Sequence, residues 1–247
     1  MKFLGVIPAR YASSRFPGKP LVDIEGQTMI RRVYEQVKKS QKLHEIIVAT
    51  DDKRIEEEVL SFGGNVVMTS ETHQSGTDRC AEVIAHHREY DVVINIQGDE
   101  PFINPDQIDL LATCFENPDT KIATLVKEIQ SAEELFNLNI PKVVRNTSGE
   151  AIYFSRQTIP FLRGVDQAQW IEKQRFYKHI GIYAYKVDTL KALTKLPVSI
   201  LETAEALEQL RWIENGYAIQ TAVTTHETVA VDTEEDLKKI LKLFFNK

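Results

Sequence analysis

Short apolar runs alternate along the chain with stretches whose apolar residues recur at helical spacing. Phe3 to Ile7 is a compact apolar run closed by Pro8, the pattern of a buried first strand that delivers a loop at the sheet edge. Met29, Ile30, Val33 and Val37 share one helical face, Glu45 to Thr50 reads as the next strand, and Ile55, Val59 and Leu60 mark a second helix stopped by Gly63-Gly64. Val66 to Met68 follows as a third strand. Strand and helix in such short alternation require parallel strands joined by right-handed crossovers, so the pattern predicts an α/β fold with an open, mostly parallel, Rossmann-like sheet.

The alternation continues and then changes character. Gln74 to Arg79 opens a helix carrying Cys80, Val83 and Ile84, Asp91 to Gln97 is the most strand-like stretch of all, and Asn104-Pro105 starts a helix with Ile108, Leu111 and Phe115 on one face. Beyond it, Ile122–Val126 and Lys142–Arg145 are strands of less regular order, and the turn Asn146–Gly149 leads to Ala151–Phe154 as a hairpin. This departure predicts a smaller mixed α/β lobe. Residues 164–173 are polar with little periodicity, consistent with a flap or a dimer contact. In Tyr177–Tyr185, strand period two puts His179, Tyr183 and Tyr185 on one face and Ile180, Ile182 and Ala184 on the other. Glu205, Glu208, Gln209 and Arg211 read as the polar side of an amphipathic helix with Ala206, Leu207 and Leu210. After the strand Ile219–Val223, Asp232 is placed to cap a last helix through Leu237, Ile240, Leu241 and Phe244. Along the chain, the pattern assigns 1–120 plus 215–247 to a core and about 121–214 to the lobe, within one domain spanning 1–247.

Composition narrows the field. The chain has 247 residues, enough for one sizeable core, and a formal net charge of -6. That balance argues against general nucleic-acid binding, which clustered Lys and Arg drive through counterion release. No apolar run is long enough to span a bilayer, and no leader pattern opens the chain, so no membrane association and a cytoplasmic location are expected. Cys80 and Cys114 are too few and too far apart for a zinc knuckle or a disulfide framework.

The chemistry concentrates in the loop after the first strand, Pro8-Ala9-Arg10-Tyr11-Ala12-Ser13-Ser14-Arg15-Phe16-Pro17-Gly18-Lys19-Pro20. Arg10, Arg15 and Lys19 are close together, Gly18 permits close backbone approach, and the prolines remove freedom that binding would otherwise cost. A stiff cationic loop at a strand's carboxyl end suits a polyphosphate, although a solvated basic loop has the same composition. It is neither a P-loop, since Pro20 follows Gly18-Lys19, nor a dinucleotide fingerprint, which needs more glycines. Asp99, just past the strand 91–97, stands where open sheets place ligand chemistry and has the hard oxygen donors that Mg²⁺ prefers, and an acidic turn is the plainer alternative. Ser75-Gly76 and Arg79 read either as an ordinary helix start or as donors for a polar ring or phosphate.

The stretch Pro8 to Leu21 resembles the signature of the cytidylyltransferases that activate acidic sugars, and the resemblance extends in order through Gln74–Arg79, Gln97–Pro101, Tyr153–Arg156, His179–Tyr183, Leu207–Arg211 and Val231–Leu237. It implies the nucleotide-diphospho-sugar transferase type of fold and a nucleotidyltransferase that moves CMP from CTP to 3-deoxy-manno-octulosonate (Kdo) for lipopolysaccharide assembly. Pro8, Ala9, Arg10, Arg15, Lys19, Ser75, Gly76, Arg79, Gln97 and Asp99 would bind nucleotide, with Arg10, Lys19, Asp99 and Asp232 catalytic and Asp99 and Asp232 sharing Mg²⁺. Gln97, Arg156, His179, Tyr185, Glu208 and Gln209 would hold the sugar acid, in a homodimeric enzyme. The alternatives are a related acceptor, such as 8-amino-Kdo or a sialic acid, and a silent nucleotide-binding module.

Overall fold

A computed structural model describes residues 1–12 and 16–245. The chain forms two compact units, Met1–Ala112 with Thr228–Lys247, and Thr113–Glu227.

In the first unit, β1 (Phe3–Ala9) is followed by a two-stranded ribbon of β2 (Asp23–Ile24) and β3 (Gln27–Thr28), then by β4 (Glu45–Thr50), β5 (Val66–Met68) and β6 (Val92–Asn95). Strand β1 lies between β4 and β6 and β4 pairs with β5, all parallel, giving the order β6-β1-β4-β5. The apolar runs that predict these strands are continuous because their side chains are covered on both faces: Leu4, Val6, Ile7, Val48, Val93 and Ile94 are fully buried. Helices Met29–Val37, Lys53–Ser61 and Gly76–His86 make the three crossovers, and Pro105–Thr113 follows β6. Asp52 caps the second of them, its carboxylate accepting the Arg54 N–H at 2.9 Å. The last helix, Glu234–Phe245, packs Ile240 onto Ile24, Met29 and Val231.

The second unit is mixed. Strand β7 (Ile122–Glu128) pairs antiparallel with β10 (Tyr177–Lys186) and parallel with β11 (Gln220–Val223), while β8 (Lys142–Arg145) and β9 (Ala151–Ser155) form the predicted hairpin, β8 also pairing with β10. The register of β10 on β7 jumps from Ile180↔Leu125 to Tyr183↔Thr124, which leaves Gly181 and Ile182 as an inserted pair. An insertion of two preserves side-chain parity, so His179, Tyr183 and Tyr185 stay on one face as the alternation predicts.

One expectation needs correction here. The amphipathic helix read across Glu205–Arg211 is two helices, Ile200–Glu205 and Gln209–Glu214, broken where Ala206 takes left-handed backbone at φ +51°. Residues 164–173, which lack visible periodicity, contain a short helix, Trp170–Lys173, whose Trp170 is only 2% exposed and packs with Ile129, Leu135 and Phe176. One large apolar side chain anchors this segment without any repeat.

Candidate active site

The site in the first unit is built at the carboxyl end of β1. Gly18 adopts φ +73°, which an L side chain rarely tolerates, and its N–H donates to the Tyr11 carbonyl at 2.9 Å, closing the loop on itself. The Tyr11 ring lies against Gly18, and the Arg54 guanidinium, held by Asp52, lies over that ring with Cζ 3.2 Å from its centroid. Lys19 then begins a single 3-10 turn, Lys19–Leu21, with Pro20 buried beneath it. Pro8 is half-buried, Ala9 buried and Arg10 exposed, whereas Arg15 lies outside the described residues.

Two acidic loops converge on this turn. A Cβ on Gly98 would stand 2.6 Å from the Pro8 carbonyl oxygen, so glycine is required there by backbone packing against β1. That packing sets Asp99 beside the first loop. From the other end of the chain, Val231 donates its N–H to the Asp99 carbonyl at 2.9 Å and places Asp232 alongside. The expectation that Asp232 caps the last helix is corrected. Thr233 does so, its hydroxyl accepting the Asp236 N–H at 3.2 Å while the Asp236 carboxylate accepts from the Thr233 N–H at 3.1 Å. The Thr233-x-x-Asp236 spacing was the signal available for this. Asp232 instead meets Lys19: the ammonium donates to Asp99 Oδ2 at 2.8 Å and to Asp232 Oδ1 at 3.2 Å. The side chains are 13% (Lys19), 25% (Asp99) and 36% (Asp232) exposed, open enough to admit a ligand. Next to them Glu100 is buried, and burial, aided by the Asp99 charge, pushes its carboxyl up to about 8.

The remaining nucleotide candidates share this end of the unit. Ser75 caps the helix Gly76–His86 in a capping box with Asp78, and a Cβ on Gly76 would stand 3.2 Å from Pro8 Cγ and 3.5 Å from the Asn95 amide. Arg79 points elsewhere: at 1% exposure, its guanidinium donates to Thr69 Oγ1 at 2.6 Å and pairs with Asp51. Gln97 is half-buried just beyond β6.

The sugar candidates of the second unit divide into two groups. His179, Tyr183 and Tyr185 form a row of rings with centroids 5.2 and 6.0 Å apart, flanked by Phe154 against His179 and Trp212 against both tyrosines. Burial pushes the His179 imidazole down to about 3 and the Tyr183 phenol well above its ordinary value, the latter with help from the Glu208 charge. Gln209 is buried, and among the described residues its Nε2 has no hydrogen-bond partner. Arg156 is tied to the helix break, donating through Nε to the Glu205 carbonyl at 2.7 Å and through its Nη2 to the Ala206 carbonyl at 3.3 Å.

A parallel α/β core with cationic and acidic loops at the strand ends defines the nucleotidyltransferase class. Its fold is shared with 4-diphosphocytidyl-2C-methyl-D-erythritol synthase from Anaerococcus prevotii, at TM-score 0.62 and 10% identity over 100% of this chain and 99% of that one. Within that class the chain belongs to the cytidylyltransferase family, whose model matches residues 4–239. A 3-deoxy-manno-octulosonate cytidylyltransferase from Parabacteroides distasonis is 56% identical over the full length of both chains. The solved CMP:2-keto-3-deoxy-manno-octonic acid synthetase complexed with CTP has TM-score 0.92 and 45% identity, covering 100% of this chain and 99% of that one.

Proposed function

We propose that this chain transfers CMP from CTP to Kdo, releasing pyrophosphate and activating the sugar for lipopolysaccharide assembly. The observation that carries the proposal is the convergence of Lys19, Asp99 and Asp232 in a chain whose relatives of that name match it from end to end. The anomeric hydroxyl oxygen of the sugar acid bonds to the α-phosphorus, and the bond from that phosphorus to the β-phosphate bridging oxygen breaks. Negative charge builds on the leaving pyrophosphate. Lys19 and Arg10 offset it, and the Gly18 turn holds Lys19 in place for this task. Ser75 and Gly76, at a helix N-terminus beside Pro8, are proposed to hold the nucleotide, with Arg79 bracing their helix through Asp51.

Asp99 and Asp232 fit a Mg²⁺ ion, because two hard carboxylates already converge on one cation, the Lys19 ammonium. When bound, that ion supplies charge neutralisation at the phosphates and a lowered pKa for the attacking hydroxyl. His179, Tyr185, Glu208, Gln209 and Arg156 are proposed for the sugar acid, supported by the row of His179, Tyr183 and Tyr185 rings on β10. A homodimer and a cytoplasmic location complete the reading; exposed Phe161 and Ile200 on the second unit support the former. No helix among the described residues is long and apolar enough to cross a membrane. Pyrophosphate release from CTP with Kdo, 8-amino-Kdo and a sialic acid tests it: Kdo is expected to be the preferred acceptor, and release that is independent of any sugar acid contradicts it.

A further inference from the structure

The hydroxyl of Thr124 sits at a junction of three acceptor-capable atoms. Its Oγ1 is 2.7 Å from the Ile182 carbonyl oxygen, 3.2 Å from the Ile180 carbonyl oxygen and 3.0 Å from His179 Nε2. Two of those neighbours are carbonyls, which only accept, and a hydroxyl has one hydrogen to give. The short contact to Ile182 commits that hydrogen, at the point where Gly181 and Ile182 loop out of register. If the hydrogen went to His179 instead, the 2.7 Å contact to Ile182 would press two oxygens together with no hydrogen between them. With that hydrogen on Ile182, Nε2 must bring a hydrogen of its own to the 3.0 Å contact, since two lone pairs would otherwise face each other.

We propose that Thr124 is a positioning residue that locks His179 as the neutral Nε2–H tautomer, so that Nδ1 presents a lone pair and recognises a hydroxyl of the sugar acid. Among the described residues Nδ1 makes no hydrogen bond, and His179 as a residue is half-buried. Phe154 edge-on at 5.2 Å and Tyr183 at 5.2 Å fix the ring plane. Desolvation of the ring independently favours its uncharged form. His179 therefore selects a hydroxyl donor, and leaves the carboxylate of the acid to other groups. This inference rests on the sugar-acid function assigned above.

The test has two readouts. In ¹⁵N-labelled full-length protein at pH 7, long-range ¹H–¹⁵N spectra are expected to show His179 protonated at Nε2 and bare at Nδ1; an Nδ1–H or doubly protonated ring overturns the proposal. In steady state, Thr124→Val is expected to raise KM for Kdo about tenfold, the worth of one hydrogen bond. KM for CTP and kcat should stay within about twofold, and Thr124→Ser should restore KM. Equal losses for both substrates, or no recovery in Thr124→Ser, overturn it. Absence of Kdo turnover by the unaltered enzyme removes the assigned function instead, and leaves the tautomer measurement standing.

Discussion

The carbonyl of Asp99 accepts the backbone N–H of Val231 at 2.9 Å, joining two loops that come from opposite ends of the sequence. Because the link is made by backbone, Asp232 is held next to Asp99 whether or not a cation lies between the carboxylates. Lys19→Met should therefore fold normally and bind its partners in an intact site, yet lose the charge that stabilises departing pyrophosphate. The expected loss is on the order of 3 kcal/mol in the barrier, about a hundredfold or more in pyrophosphate release. Near-normal turnover in a folded Lys19→Met variant contradicts the role given to this side chain.

The neighbours Asp232 and Thr233 should separate activity from stability. Thr233→Ala removes the cap of the last helix and should cost about 1 kcal/mol in denaturant unfolding. Asp232→Asn leaves that cap intact, so its unfolding midpoint should shift little while activity collapses. The reverse pattern would restore Asp232 to the capping role that the sequence suggests.

Ala206 offers a test of the helix break. Left-handed backbone costs an L residue about 1–2 kcal/mol, and glycine avoids this at some entropic expense. Ala206→Gly is expected to stabilise the protein by roughly 0.5 to 1 kcal/mol. A continuous helix through this position predicts destabilisation by a similar amount.

His179 sets a pH dependence of stability. Its ordinary value of 6.5 applies to the unfolded chain, and burial lowers the folded value to about 3. Between these values the unfolded state holds a proton that the folded state refuses. The contribution is thus full above 6.5 and is lost as pH falls towards 3, at up to about 1.4 kcal/mol per pH unit. Wild-type unfolding free energy should fall relative to that of His179→Gln between pH 7 and pH 5. Parallel profiles for the two proteins would show that the imidazole takes up its proton normally in the fold.

What local pattern carries was legible in the sequence, and what depends on remote partners was not. The strands of the first unit announce themselves because burial on both faces makes them continuous apolar runs. Lys19 and Asp99 stand out because glycines beside them punctuate the ends of such strands. The reason for Gly98 was not visible, since its neighbour is the Pro8 carbonyl about ninety residues back in the chain. Arg79 looked available to a ligand until Asp51 and Thr69 claimed its guanidinium. Trp170 and Ala206 were missed for a different reason: a single anchoring side chain and a single left-handed residue produce no periodicity. Thr124 has no local signature at all, because its importance comes from carbonyls on a neighbouring strand whose register slips.

The most direct measurement is pyrophosphate release from CTP and Kdo by Asp99→Asn, Asp232→Asn and the double variant, each confirmed as folded. Residues that work as one centre lose their function together. Each single substitution should slow release by about a hundredfold or more, and the double variant should be scarcely slower than either. Wild-type release by either single variant, or losses that multiply in the double, would mean that the two carboxylates do not serve one reaction centre.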